Sequence, residues 1–427
     1  MIPPEFIDDL LSRADITDFV GDRVKLRKAG QNFSGLCPFH NEKTPSFTVS
    51  QEKQFYHCFG CQAHGNVIGF VMEFDRLDFP GAVELIAQRL GISVPQSNDP
   101  KARDRAVKRK SQQDILEQVM QFYCRVLREH PQKDVAVSYL KSRHLSGEVA
   151  RDFNIGYAPP GWSNLEAELA KTNHERDLLR DAGMLIERDD ERTYDRFRER
   201  IMFPIRDQRG RVIAFGGRAL GDANPKYLNS PETELFHKGK ELYGLFEARR
   251  SNARLESLLV VEGYMDVVAL AQHGITHAVA TLGTATTADH LTRLYKMVTR
   301  VVFCFDGDAA GKAAAWKALL VALPFMTDGR SARFLFLPEG EDPDSMVRAE
   351  GQEGFANRLA QAEPLPDFFF RKLKSEQDVT SLDGRAALSK LAMGLISTMP
   401  RGVFRELMVN KLSEMTNLSA ESSSAPL

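Results

Sequence analysis

Four stretches decide the fold of the central part of this chain: LLVVEGYMDVVALAQHG (258–274), HAVATLG (277–283), RVVFCFDGDAAG (300–311) and RFLFL (333–337). Each opens on a short apolar run, and the first and third lead directly into a helical pattern. LLVV (258–261) reads as a buried strand, and the segment after it as a helix ending at Gly274. HAVATLG is a second strand with a helix around Ala288 to Met297; RVVFCF (300–305) is a third, with an Ala-rich helix behind it; RFLFL is a fourth. Apolar strands alternating with helices predict a parallel sheet covered on both faces.

In such sheets ligands bind at the carboxyl ends of the strands. Glu262 stands one residue past the first strand and Asp266 four residues later; Asp306 and Asp308 follow the third; LPEGEDPD (337–344) puts Asp342 and Asp344 beyond the fourth. Six carboxylates on one edge repel one another and need counter-charge. Mg²⁺ or Mn²⁺ supplies it, because these hard cations take oxygen ligands and share them with substrate phosphates. Such ions, two or more, activate an attacking hydroxyl and stabilise a leaving oxygen in nucleotidyl transfer. Glu262, lying closest to the strand end, could instead act as the general base on that hydroxyl. The competing motifs fail on spacing. As an EF-hand loop DGDAAG has Ala310 at its fifth position and Lys317 at its twelfth. As a phosphate loop Gly307–Ala313 is one residue short and lacks the Ser/Thr.

Working outward, the N-terminal block contains Cys37-Pro-Phe-His40, 17 residues, then Cys58-Phe-Gly-Cys61. Two knuckles separated by a strand pair are what one tetrahedral, structural Zn²⁺ requires. His57 and His64 flank the second knuckle and could replace His40; His40 is preferred because it completes the first. Zinc ribbons present aromatic and basic residues to single-stranded nucleic acid by stacking and phosphate contact. Phe33, Lys43, Lys53, Phe55 and Tyr56 could serve, with the ribbon's own small core as the competing role for each aromatic.

Between these blocks, residues 192–218 hold eight arginines against three acids. RERIMFPI (198–205) and FGGR (215–218) alternate like strands, so arginines such as Arg198, Arg200 and Arg218 could line a phosphate groove. Lys226, Tyr227 and Lys238 lie on Gly/Pro-rich loops just beyond. A solvated face is the plainer reading of this run by itself, but metal-bound triphosphates beside it would need cationic clamps.

The 427 residues exceed one ordinary domain of about 150. With 43% hydrophobic and 27% charged residues, wholesale disorder and disulfide miniproteins are excluded. The start MIPPEFIDDLLSRADITDFV has acids where a secretory leader is basic. No apolar run reaches the roughly 18 residues that span a bilayer. Five cysteines without a leader point to a reducing cytoplasm. Whole-chain charge is −2, which taken alone argues against a nucleic-acid partner. It is a sum of opposed blocks: +5 over 101–110, +5 over 192–218 and −4 over 256–345. Cations for template and triphosphate and anions for metal are separated along the chain.

CPFHNEKTPSF, YHCFGC, RERIMFPI, FGGR, NPKYLNSPET, EGYMD and DGDAAG, in that order, resemble the bacterial DnaG-type DNA primases over residues 1 to about 420. The resemblance implies a multidomain α+β chain: a CHC2 zinc ribbon, then a mixed α/β polymerase core containing a Toprim subdomain (a Rossmann-like parallel sheet) and a C-terminal helical subdomain. The expected divisions are a zinc domain at 1–98, a basic linker at 99–112, a basic N-terminal polymerase subdomain at 113–255, Toprim at 256–345, a helical subdomain at 346–420 and a linker start at 421–427.

Carried over, Cys37, His40, Cys58 and Cys61 hold zinc. Glu262, Asp306 and Asp308 are the catalytic metal-binding acids, supported by Asp266, Asp342 and Asp344. Arg143, Arg218, Lys226, Tyr227 and Lys238 match basic positions around template and nucleotide. The implied activity is synthesis of short RNA primers on single-stranded DNA from NTPs, during replication. Implied partners are the template and the replicative helicase DnaB, and the resemblance admits a single-strand DNA-binding protein. A monomer associated with the replisome in the cytoplasm, with no membrane contact, is expected. The family carries a further C-terminal helicase-binding domain, and ESSSAPL (421–427) reads as the linker to it, so that domain is expected to be absent. A topoisomerase or nuclease with the same acidic motifs, and a non-catalytic zinc-ribbon adaptor, are the competing readings. The first would need a transesterifying Tyr in a large arch domain; the second has no use for six acids.

Overall fold

The computed structural model describes residues 2, 4–94, 100–188, 192–221, 223–252 and 255–417. It divides into two compact units, Met1–Lys108 and Arg109–Leu427.

The first unit has helices Pro4–Arg13 and Ile16–Gly21, a five-stranded antiparallel sheet and helices Val67–Phe74 and Phe79–Arg89. The strands Arg27–Ala29, Asn32–Gly35, Phe47–Ser50, Phe55–Cys58 and His64–Gly65 pair in chain order. Helix starts are set by short polar side chains: Asp15, Asn66 and Asp78 accept the N–H of Thr17, Gly69 and Gly81. Strand alternation sends Phe47, Val49, Tyr56 and Cys58 inward, onto Phe19, Phe70 and Ile86.

The helix Pro100–Glu129 runs across the division, and its part in the second unit lays Ile115, Leu116, Val119, Tyr123 and Val126 along one face and into the core. The basic run 101–110 belongs to this helix, so the stretch read as a linker is helical from residue 100. A four-stranded antiparallel sheet follows, ordered Tyr227–Asn229, Val212–Ala219, Arg200–Arg206, Gly156–Ala158.

The second sheet of this unit is the one expected from the four quoted stretches. Ala278–Ala280, Ser257–Val261, Arg300–Phe305 and Ser331–Phe336 lie side by side and parallel, with Glu363–Pro364 antiparallel at the edge. The two sheets share a core: Phe203 stacks on Tyr264 at 5.4 Å, and a Cβ at Gly216 would meet the Tyr264 ring at 2.6 Å. Helices Leu365–Glu376, Leu382–Ile396 and Val403–Thr416 pack Phe368, Phe369, Leu388 and Leu412 into a core with Phe303 and Phe334 of the parallel sheet. No helix among the described residues is long and apolar enough to cross a membrane. Residues 421–427 lie outside the described ones.

Candidate functional site

The strand order second–first–third–fourth places a topological switch point between Ser257–Val261 and Arg300–Phe305, where the chain leaves the sheet in opposite directions. A crevice opens at the carboxyl end of such a pair. Glu262 follows the first of these strands and Asp306 the second. Asp308 caps the helix Ala309–Ala322 by accepting the Gly311 N–H at 2.7 Å. Asp266, in the first turn of Tyr264–Gln272, accepts the Gly263 N–H at 3.0 Å. Asp342 caps Pro343–Ala360 through the Ser345 N–H at 2.7 Å.

Close approach of the loops holds these groups at one edge. A Cβ on Gly307 would lie 2.0 Å from the Leu337 carbonyl oxygen, and one on Gly311 2.1 Å from that of Asp306. Gly307 thus lets the Asp306 loop press against the loop leading to Asp342, while Gly311 lets the helix start close on Asp306 itself. The carboxyls feel one another. Burial, then Asp306 and Asp308, push Glu262 up; burial, then Asp342 and Asp308, push Asp306 up. Burial and Asp342, with Asp306 and Asp344 behind, raise Asp266 well above the usual range. Three helix N-termini meet the same edge, and their partial positive charge relieves some of this repulsion.

Asp344 differs from the other five. It is 2% exposed and paired with Arg143 at 3.1 Å and Arg348 at 3.0 Å. Arg143 leads on to a cationic–aromatic cluster. The Arg218 guanidinium lies 4.4 Å from the Tyr139 ring centre and 5.9 Å from that of Tyr227. Tyr227 packs edge-on to Tyr264 at 5.9 Å. Tyr139 was not singled out from sequence, because a Tyr within a helical pattern looks like any core residue. Lys226 is exposed and Lys238 half-buried.

Arg200 departs from the expectation of a groove-lining cation: it is 5% exposed and donates to the carbonyls of Gly217 and Lys226. Strand Arg200–Arg206 is covered on both faces along nearly its whole length, so alternation alone misjudged it. Arg198 lies outside that strand, 4.4 Å from the ring of Trp162 and 5.1 Å from that of Tyr194. Arg188 covers the same rings at 5.4 and 5.1 Å. Trp162 is 57% exposed, a surface indole with two guanidinium groups beside its ring. Nothing in its local sequence distinguishes it from a buried Trp.

In the first unit the ligand atoms of Cys37, His40, Cys58 and Cys61 all lie within 4.8 Å of one another. Zn–S and Zn–N bonds of about 2.3 and 2.0–2.1 Å in a tetrahedron require separations of about 3.8 and 3.6 Å. Cys37 and Cys61 Sγ are 3.7 Å apart, and Cys58 Sγ is 3.6 Å from His40 Nδ1. The donor set fits zinc. Glu42 lies 3.3 Å from His40 Nε2 and accepts the Cys37 N–H at 2.7 Å, orienting two ligands at once. Burial opposes ionisation of Cys58, but the Ser46 hydroxyl and the N–H groups of Cys61 and Gly60 outweigh it and hold the thiol at about 7.

His57 alternates with Cys58 and faces the other side of the sheet, beside His64, so neither replaces His40. The same alternation corrects the aromatic reading. Tyr56 is 1% exposed and its hydroxyl donates to Glu73, and Phe33 shares its face through Val49. Phe55 does lie on the outer face, near His64, with Phe59, 67% exposed, against His57. Lys43 and Lys53 are exposed.

With this geometry in view, comparison with known proteins is decisive. The chain is 53% identical over 425 residues to the DNA primase of Escherichia coli, covering 98% of this chain and 73% of that protein. It belongs to the DnaG-type DNA primase family. To the DNA primase of Pseudomonas putida it is 55% identical over 426 residues, 99% of this chain but 64% of that one, so it spans a little under two thirds of that relative. A solved structure described as the DnaG primase catalytic domain bound to ssDNA superposes with a TM-score of 0.72 at 52% identity, covering 74% of this chain and 99% of that one. Family descriptions match in series: the CHC2 zinc finger at 2–102, the N-terminal domain of the DNA primase catalytic core at 122–249 and the Toprim domain at 256–324.

A fourth match corrects the sequence reading. The DnaB-helicase binding domain of primase matches residues 366–421, so the expectation that this chain lacks such a domain is overturned. Helical periodicity across 365–416 shows which faces pack on the parallel sheet; it carries no signature of what the outer faces meet.

Proposed function

We propose that this primase chain polymerises RNA on a single-stranded DNA template, with the acidic edge at the switch point as its catalytic centre. The observation that carries the reading is the joining of that edge to the cationic–aromatic cluster through the Arg143–Asp344 pair. Carboxylates alone would bind metal. Carboxylates beside Arg143, Arg218, Tyr227, Lys226 and Lys238 suit a metal-bound triphosphate.

Glu262, Asp306 and Asp308, with Asp266, Asp342 and Asp344 in support, would hold Mg²⁺ or Mn²⁺, which supplies counter-charge for the triphosphate and the attacking hydroxyl. Glu262, at the strand end, is raised in pKa and is suited to accept the proton of the attacking 3′-hydroxyl. Arg143 and Arg218 orient phosphates, and the Tyr rings beneath hold those guanidinium groups in place. Trp162, beside Arg188 and Arg198, offers a stacking surface with phosphate-binding flanks, the chemistry of a single-strand track. The outer face of the zinc ribbon, with Phe55, Phe59, Lys43 and Lys53, offers a second.

In this division of labour residues 1–98 engage DNA, 113–255 hold template and nucleotide, and 256–345 catalyse. The helices within 346–420 close the core, and their match to a helicase-binding domain supports a DnaB-type helicase as partner. Single-strand DNA-binding protein is a further candidate partner, reached through the shared template. The test is incubation of the chain with single-stranded DNA, Mg²⁺ and labelled NTPs. Short oligoribonucleotides are expected; nicked or relaxed DNA without them would contradict the reading.

A further inference from the structure

Lys238 sits on a loop whose backbone is pinned on every side. Its N–H donates to Glu232 at 3.0 Å, and its carbonyl lies 3.0 Å from His290 Nε2. The next carbonyl, of Gly239, accepts the Thr287 hydroxyl at 2.6 Å. His290 is fully buried, and its second nitrogen, Nδ1, accepts the Thr287 N–H at 3.2 Å. Both ring nitrogens are therefore committed. The imidazole is neutral, with its hydrogen on Nε2 directed at Lys238. Two turns of the same short helix complete the grip, because Arg293 holds Glu241 with two hydrogen bonds of 2.9 and 2.7 Å. Thr287 ends the loop that leaves the carboxyl end of strand Ala278–Ala280, the edge at which Glu262 and Asp306 stand.

We propose that His290 is a positioning residue for Lys238, fixing through the Lys238 carbonyl the place from which its ammonium meets the nucleoside triphosphate. This rests on the polymerase reading above. A core histidine needed only for packing would leave one nitrogen idle or turned to its own helix. Here one nitrogen closes the helix start and the other reaches 52 residues back to the loop.

Gln and Asn separate the two bonds, since Gln Nε can replace Nε2 and Asn Oδ can replace Nδ1. His290→Asn is expected to raise the KM for NTP on the order of fivefold, the scale of one lost hydrogen bond, with kcat within twofold. His290→Gln should stay within twofold of wild type in both. In a Lys238→Ala background His290→Asn should add nothing further. Thr287→Ala, which loses the bond to Gly239, should repeat the KM effect if the Asn variant melts early. Equal behaviour of Asn and Gln, or an effect that multiplies with Lys238→Ala, overturns the proposal. Equilibrium binding of labelled ATP makes the test independent of synthesis. A wild type that makes no RNA yet shows the Asn–Gln split in binding sinks the polymerase reading alone. One that makes RNA without the split sinks the clamp alone.

Discussion

Asp306 shows at the residue scale how function and stability pull apart. Its carboxyl, pushed up by burial and by Asp342 and Asp308, is held where it is costly to ionise. A raised carboxyl contributes stability that is complete below its unfolded value, near 4, and lost as pH rises through the folded one. Without metal, Asp306→Asn should therefore be more stable than wild type at neutral pH, and the gap should close towards pH 4. Thermal melts across pH check this; a less stable variant at pH 7 would refute the crowding argument. Asp195, 3% exposed, is pushed by burial to about 6, although it accepts the N–H of Leu165 and Glu166. Wild type should lose on the order of 2–3 kcal/mol relative to Asp195→Asn between pH 4 and pH 6. Parallel pH profiles for the two proteins would contradict it.

Elements carry the geometry that no single residue holds. The parallel strands deliver their acids to one edge, and Gly307 lets two of the loops touch there. Gly307→Ala must separate those loops, with an expected cost of 1–3 kcal/mol, as for other overpacked sites, and a drop in synthesis larger than the stability loss explains. Denaturant melts together with kcat provide the comparison; full activity at reduced stability would show that the contact only supports the fold.

Much of this scale was legible in the sequence, because apolar runs locate strands and motif spacing locates the groups that follow them. Knuckle spacing likewise located the four side chains, Cys37, His40, Cys58 and Cys61, whose ligand atoms converge. Solvent exposure was less legible. Tyr56 and Phe55 are neighbours of similar composition, and only strand register says which faces water. Arg200 and Arg198 differ in the same way, one inside a doubly covered strand and one just before it. Trp162, Phe59 and Tyr139 were missed because surface aromatics look like core until neighbours such as Arg188 and Arg198 are in place. The match to a helicase-binding domain at 366–421 was not legible because packing periodicity describes only the buried side of the helices within it.

For the whole molecule, two compact units that share no core cluster imply two separable stabilities. Zinc binding in small modules is coupled to folding by about 10–16 kcal/mol, as large as the whole net stability of about 5–15 kcal/mol that a domain keeps. Chelation should abolish the melting transition of Met1–Lys108 while that of Arg109–Leu427 persists, a difference that calorimetry with and without zinc resolves. The near-neutral total charge conceals cationic and anionic stretches that are separate along the chain. The central claim is that the acidic edge of the parallel sheet is where RNA is made. Wild type and Asp306→Ala, given the same single-stranded template, Mg²⁺ and labelled NTPs, test it most directly. Oligoribonucleotides from the wild type alone, falling at least about 100-fold in the variant while zinc content and circular dichroism are unchanged, are the expected result. Undiminished synthesis by the folded, zinc-loaded variant would contradict it.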